Sequence, residues 1–184
     1  MSESKFIERR KEYRLPFPHK VIFTDESTTR AAYAVNLSRG GLFIATLEPF
    51  PIDTILNCIF MISNHPTSLC LKAKVVHVVF DRQRAEVDCG MGCFFQDLTE
   101  AQKAILNLHI LNEKATYLDL RRIIANPNRG VGDFQTLLAK IPYLQALDPL
   151  ALKYKVNRVC TLFEGPPRSN FGDGDDEITQ NTQL

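Results

Sequence analysis

Two arginines, Arg10 and Arg14, stand four apart in the run Arg9-Arg10-Lys11-Glu12-Tyr13-Arg14. Each carries a planar fork of N–H donors that can meet two acceptors at once, either phosphate oxygens or the O6 and N7 edge of a guanine. Arg9 extends the same basic run. A second group follows at Asn36-Leu37-Ser38-Arg39-Gly40-Gly41, an Asn-x-Ser-x-x-Gly pattern. The Asn36 amide offers both a donor and an acceptor, and Ser38 adds a short hydroxyl. Gly41 has no side chain to hold a ligand away from the backbone. Either group alone has a bland explanation, a solvated basic helix end or a polar β-turn. Their order says more, because the arginines precede the first predicted strand and the second pattern ends the next.

Other chemistry is not legible. Ser, His and acidic residues are present, yet no nucleophile motif, Gly-x-Gly-x-x-Gly cradle or Walker-type loop occurs, so no catalytic residue is expected. Cys58, Cys70, Cys89, Cys93 and Cys160 make an odd number without a Cys-x-x-Cys pair, which argues against a disulfide framework or structural zinc. Buried, reduced core thiols are expected. His19, His65, His77 and His109 form no His-x-x-x-His pair, and no metal site is expected.

These residues need a scaffold. The 184-residue chain is 45% hydrophobic and 23% charged with a net charge of +1, close to an ordinary soluble protein and far from a nucleic-acid coat protein. Its longest plainly apolar stretch, Cys58–Ile62, is much shorter than a membrane span, and Met-Ser-Glu-Ser-Lys lacks a secretory core. A cytosolic location without membrane insertion is the expectation. From about residue 20 to 96 the chain reads as short strands: Val21–Phe23, Tyr33–Leu37, Leu42–Ile44, an alternating run from Leu69 to Val75, and Val87–Phe95. Turn-forming stretches at 25–29 and 38–41 separate them, and no helix intervenes. The pattern predicts a mainly β fold, a small antiparallel barrel or sandwich.

Thr99-Glu-Ala-Gln102 is a capping box, opening a helix that Asn126-Pro127 should stop. This helix carries two apolar stripes. Ala101, Ala104, Ile105, Leu108, Leu111, Ala115 and Leu118 form one, with the Ala104–Leu108–Leu111 face expected against the barrel. Leu106, Ile110, Tyr117, Leu120 and Ile124 form the other, which needs the later chain or a partner as cover. Residues 133–163 offer Phe134, Leu137, Leu138 and Ile141, then a Pro-started helix from Asp148-Pro149 with Leu150, Tyr154, Val159 and Leu162. The expected divisions are a flexible basic arm at 1–19, a barrel with the start of its helix at 20–112, a helical extension at 113–164 and a disordered acidic tail at 165–184.

Gly41-Leu-Phe-Ile44 follows the second pattern, and Gly90-Met-Gly-Cys-Phe-Phe-Gln-Asp-Leu98 closes the predicted barrel. With these the chain resembles the PilZ family, bacterial domains that bind the second messenger cyclic di-GMP, over about residues 8–111. The resemblance implies a PilZ-type antiparallel β-barrel with a C-terminal helix. It also implies a non-enzymatic receptor that needs no cofactor. Arg10 and Arg14, on an arm, would fold over cyclic di-GMP held by Asn36, Ser38 and Gly41. Arg9 is placed to set whether one nucleotide or a stacked pair binds. Asn36 replaces the commoner Asp of the family pattern. Ligand would order residues 5–16 and change what the helix 99–125 and residues 133–163 present to a protein partner or second copy. Family receptors serve motility, biofilm, pilus function and transcription. The alternative is a PilZ-like interaction adaptor with a vestigial nucleotide site. Single-stranded nucleic acid suits the chain poorly, since the basic arm is short and Trp is absent.

Overall fold

The computed structural model describes residues 13–62, 65–80, 89–126 and 131–164. Six strands close into a barrel: β1 (Leu15–Thr24), β2 (Thr29–Leu37), β3 (Gly41–Ala45), β4 (Ile55–Phe60), β5 (Leu69–Val79) and β6 (Gly90–Phe95). Their order around the barrel is β1-β2-β3-β6-β5-β4, and every neighbouring pair is antiparallel. Closure gives every strand a hydrogen-bonded neighbour on each side. The strands alternate inward and outward. Phe17, Val21, Phe23, Leu42, Ile44, Leu56, Cys58, Phe60, Leu71 and Met91 fill the interior, each contributing roughly 1.5–3 kcal/mol by leaving water.

β1 begins at Leu15, so the barrel takes in residues expected in the arm. Residues 1–12, with Arg9 and Arg10, lie outside the described residues, as does the acidic stretch 165–184. Four cysteines are buried and Cys70 is exposed, all of them free thiols. Burial pushes the Cys93 thiol up to about 12 and Cys58 higher still. Neither is a nucleophile near neutrality.

The helix α1 (Glu100–Ala125) starts with the expected box. The Gln102 amide donates to the Thr99 hydroxyl at 3.2 Å, and the Thr99 amide donates to Gln102 Oε1 at 2.9 Å. It is followed by α2 (Val131–Lys140), a 3-10 turn (Pro142–Leu144) and α3 (Pro149–Glu164). Asp148 caps α3 by accepting from the amides of Leu150 and Ala151, both at 2.9 Å. Among the described residues no helix is long and apolar enough to cross a membrane.

The expected orientation of α1 is overturned. Its buried face is Leu106, His109, Ile110, Glu113, Thr116, Tyr117 and Leu120. Leu108 and Leu111 are 60% and 53% exposed, and Ala101, Ala104 and Ala115 are exposed with them. One side of the helix serves two cores. Leu106 joins the barrel core, and one turn later Ile110, Tyr117 and Leu120 join Leu138, Ile141, Leu144, Leu152, Val156, Val159, Cys160 and Phe163. Because α2 and α3 dock on the side that faces the barrel, the stripe richer in Leu and Ala is left outside. On α3 the interior is Leu152, Val156, Val159, Cys160 and Phe163, whereas Leu150, Tyr154 and Leu162 point outward.

The start of β1 ties the two cores together. Leu15 is buried in the helical core. Tyr13 meets the Phe163 ring edge-on at 5.7 Å, and the Lys114 ammonium lies 5.0 Å from the Tyr13 ring and 5.4 Å from Phe163. Both residues flanking Arg14 are therefore held by the helices.

Candidate functional site

A groove of about 480 Å³ opens on the outside of the barrel, lined in part by Arg14, by Ser38, Gly40 and Gly41 of the β2–β3 turn, and by Phe43, Val76, His77, Gly92 and Phe94. Three of the sequence-derived residues, Arg14, Ser38 and Gly41, come together here. Arg14 is exposed and precedes β1 directly. The β2–β3 turn is braced from within: the Ser38 amide donates to the Gly41 carbonyl at 2.8 Å, and the Ser38 hydroxyl donates to the same oxygen at 3.2 Å. The Phe95 amide donates to the Gly40 carbonyl at 2.8 Å, tying the turn to β6. Ser38 thus holds the turn's shape while its oxygen keeps acceptor capacity.

Gly41 has a role that its spacing does not reveal. A Cβ at this position would lie 2.1 Å from the carbonyl oxygen of Cys93. The close approach that excludes a side chain is with the chain's own strand β6. Gly90 is similar, since its φ is +156° and a Cβ would lie 2.0 Å from the Ile44 oxygen.

Asn36 does not line the groove, but the register places it in the same cross-strand row. Pro16, Asn36, Phe43, Gly92 and His77 are successive partners across β1, β2, β3, β6 and β5. Phe43 lies between the inward Leu42 and Ile44, so it and its partner Asn36 face outward. A bulge in β5 between Val75 and His77 leaves both Val76 and His77 exposed toward the groove. Sequence reasoning missed Phe43, Val76, His77, Gly92 and Phe94. The available signal was the period-2 series Gly90, Gly92, Phe94, which sets one face of β6. Beside the groove, Lys74 is the β5 partner of Phe94 and pairs with Asp53 at 2.6 Å.

A second, polar cavity of about 280 Å³ lies between α1 and the end of α2, lined in part by His109, Asn112, Glu113, Thr116, Asp119 and Lys140. His109 Nε2 and Glu113 Oε1 are 3.8 Å apart, and His109 Nε2 and Glu113 Oε2 are buried without a hydrogen-bond partner among the described residues. Burial lowers His109 to about 4, helped by the neighbouring His19, whose own pKa burial also lowers. Burial raises Glu113 to about 7. The linked effects on stability oppose each other. Glu113 binds its proton more tightly folded than unfolded, so its contribution is lost as pH rises from 4.5 through 7. His109 binds its proton less tightly folded, so its contribution is lost as pH falls from 6.5 through 4. Between these limits the Glu113 slope offsets that of His109, while His19 adds to the histidine side. Glu113→Gln is expected to expose the histidine slope, with unfolding free energy rising from pH 4 to 6.5 by up to roughly 3 kcal/mol. Urea unfolding across that range reads it directly, and an unchanged, flat profile would show that the two groups do not titrate in this way.

No curated protein matches the chain in sequence. Solved structures with a similar fold include the Bacillus subtilis inhibitor of motility MotI/DgrA, at 20% identity and a TM-score of 0.46 over 58% of this chain and 52% of that one. They also include the K. pneumonia MrkH–c-di-GMP complex, at 16% identity and a TM-score of 0.48 over 58% and 52%. The PilZ domain of Escherichia coli YcgR with c-di-GMP matches at 15% identity and a TM-score of 0.41, over 56% and 88%. This chain spans about half of the MotI/DgrA and MrkH chains. The family model for the PilZ domain matches residues 8–112, a segment that contains both motifs, the whole barrel and the first half of α1, and the chain belongs to the PilZ domain family.

Proposed function

We propose that this protein is a non-enzymatic cytosolic receptor for cyclic di-GMP, which binds on the outer barrel surface through Arg9, Arg10, Arg14, Asn36, Ser38 and Gly41. The observation that carries the reading is the groove itself, which brings Arg14 beside the Ser38–Gly41 turn on a PilZ-family barrel. Cyclic di-GMP offers two phosphates and two guanine edges in one compact ring, and forked arginines with a neighbouring amide and hydroxyl match those acceptors and donors. Each bidentate contact contributes roughly 1–3 kcal/mol, and ordering a backbone unit costs about 1–2 kcal/mol. Tyr13 and Leu15 are already held by the helices, so ligand at Arg14 acts on α3 through the Tyr13–Phe163 contact, and the helical extension is the part that reports occupancy. Saturable binding of cyclic di-GMP by the full chain, with cyclic di-AMP binding much more weakly, is the expected result. Equal affinity for the two would contradict guanine reading by Arg14 and Asn36.

The exposed stripe on α1 favours a second reading alongside the first, that the output is a helix–helix contact. Ala101, Ala104, Leu108, Leu111 and Ala115 recur at spacings of three and four, the seam of a two-stranded coiled coil. Leu108→Asp combined with Leu111→Asp is expected to lower the mass measured by light scattering to that of one chain without lowering the melting temperature, since both positions are exposed. Identical masses for wild type and variant would show that the seam does not hold a second copy.

A further inference from the structure

The floor of the groove has a pattern that neither motif explains. On the outer face of β3 and β6, Gly41 pairs with Phe94 and Phe43 pairs with Gly92. Each aromatic ring thus stands opposite a position without a side chain, and the two rings sit diagonally across a trough. Phe94 is 54% exposed and Val76, released by the β5 bulge, is 51% exposed. The two glycines differ in what they do for the fold. Gly41 is required by the Cys93 carbonyl, but a Cβ at Gly92 would make only ordinary contacts, 3.5 Å from the His77 Cβ and 3.9 Å from its carbonyl oxygen. Gly92 also has no left-handed backbone conformation. The fold would accept a side chain there, and the absence of one keeps the trough open between Phe43, Phe94 and His77.

A large ring left half-bare on a strand between a glycine and a lysine costs apolar exposure, and here it borders the guanidinium donors of Arg14 and the acceptor oxygen of Ser38. Flat apolar walls with donors at one rim suit a planar heterocycle that carries acceptors on its edge, rather than an aliphatic side chain or a lipid tail. We infer that the Gly41–Phe94 and Phe43–Gly92 chequerboard is a base-stacking platform that takes one purine of the bound nucleotide, with Phe94 as its principal contact and Gly92 as the residue that keeps it accessible. The inference rests on the cyclic di-GMP reading and adds to it the surface that holds a base by its face while Arg14 and Asn36 meet edges. Stacking is tolerant of base identity, so Phe94 sets affinity and the polar residues set the choice of guanine.

The test is calorimetric titration of cyclic di-GMP into wild type, Arg14→Ala, Phe94→Ala, Phe94→Tyr, Phe94→Leu and Gly92→Val. Phe94→Ala should weaken binding roughly 5- to 150-fold, the range for loss of one base–aromatic stack. Phe94→Tyr should stay near wild type, and Phe94→Leu, which keeps apolar bulk without a π face, should not. Gly92→Val should weaken binding comparably while its melting temperature stays at the wild-type value, because valine suits a strand and its Cβ meets neighbours there only at ordinary contact distances. If wild type binds and Arg14→Ala does not, yet Phe94→Ala and Gly92→Val bind like wild type, the platform is overturned and the receptor reading stands. A wild type that does not bind at all overturns both.

Discussion

Arg14→Ala is expected to reduce the affinity for cyclic di-GMP by at least about thirtyfold, with little change in stability. Truncating one side of a hydrogen-bonded charge pair typically costs about 2–5 kcal/mol, and each 1.4 kcal/mol is tenfold. The loss exceeds that of a surface contact because Arg14 is the described arginine that faces the Ser38–Gly41 turn across the groove. It is also held in place by neighbours that do not touch ligand, Tyr13 against Phe163 and Leu15 in the helical core. Little further ordering is needed at this position, so little entropy offsets its contact. Arg14→Lys should recover only part of the affinity, since an ammonium keeps the charge but not the two-pronged geometry. The side chain is exposed, so melting temperatures of both variants should stay close to wild type. Calorimetric titration with a parallel thermal scan separates the two effects.

Gly41→Ala is expected to act the other way round, on the fold before the ligand. Its methyl would sit 2.1 Å from the Cys93 carbonyl oxygen, and the obstacle is backbone in the middle of the β3–β6 ladder. Neither atom can rotate away, so the two strands must separate and stretch the hydrogen bond between Phe95 and Gly40. Overpacking of this kind costs about 1–3 kcal/mol, at times more. For a chain of this size that lowers the melting temperature by roughly 2–12 °C. The contrast with Gly92 is sharp, because there the added atom meets the His77 Cβ at 3.5 Å and its carbonyl oxygen at 3.9 Å, both ordinary contacts. A Gly41→Ala protein that melts like wild type would show that β3 and β6 are not held at this distance. Loss of binding in Gly41→Ala is therefore no evidence of ligand contact at Gly41 unless stability is measured beside it.

Much of this architecture could be read locally. The Thr99–Gln102 box and the Asp148-Pro149 start each depend on a few consecutive residues, and both form as their patterns imply. What failed depended on partners far along the chain. α1 has two apolar stripes, and the buried one is interrupted by His109, Glu113 and Thr116. Hydropathy alone favours the cleaner stripe, but the barrel and α3 both lie on the other side and decide the matter. β4 was hidden for the opposite reason. Ile55 and Ile59 point outward with Asn57 while Leu56, Cys58 and Phe60 point in, so apolar residues stand on both faces and blur the alternation.

The candidate site divides along the same line. Arg14, Ser38 and Gly41 belong to short motifs at strand ends and could be named from spacing. Phe43, Val76, His77, Gly92 and Phe94 come from three strands, and only the register and the β5 bulge put them beside one another. The buried His109–Glu113 pair was invisible for a related reason, since four-residue spacing on a helix says nothing of the cavity that closes over it.

The most direct test of the central claim is titration of cyclic di-GMP into the folded wild-type chain and into Arg14→Ala under identical conditions. The account predicts saturable binding by wild type and a loss of at least about thirtyfold in the variant. No saturable binding by well-folded wild type would contradict it, as would equal binding by the two proteins. In the first case the outer stripe of α1, with Leu108 and Leu111, would become the functional surface of a PilZ-family adaptor; in the second the ligand would be held without Arg14.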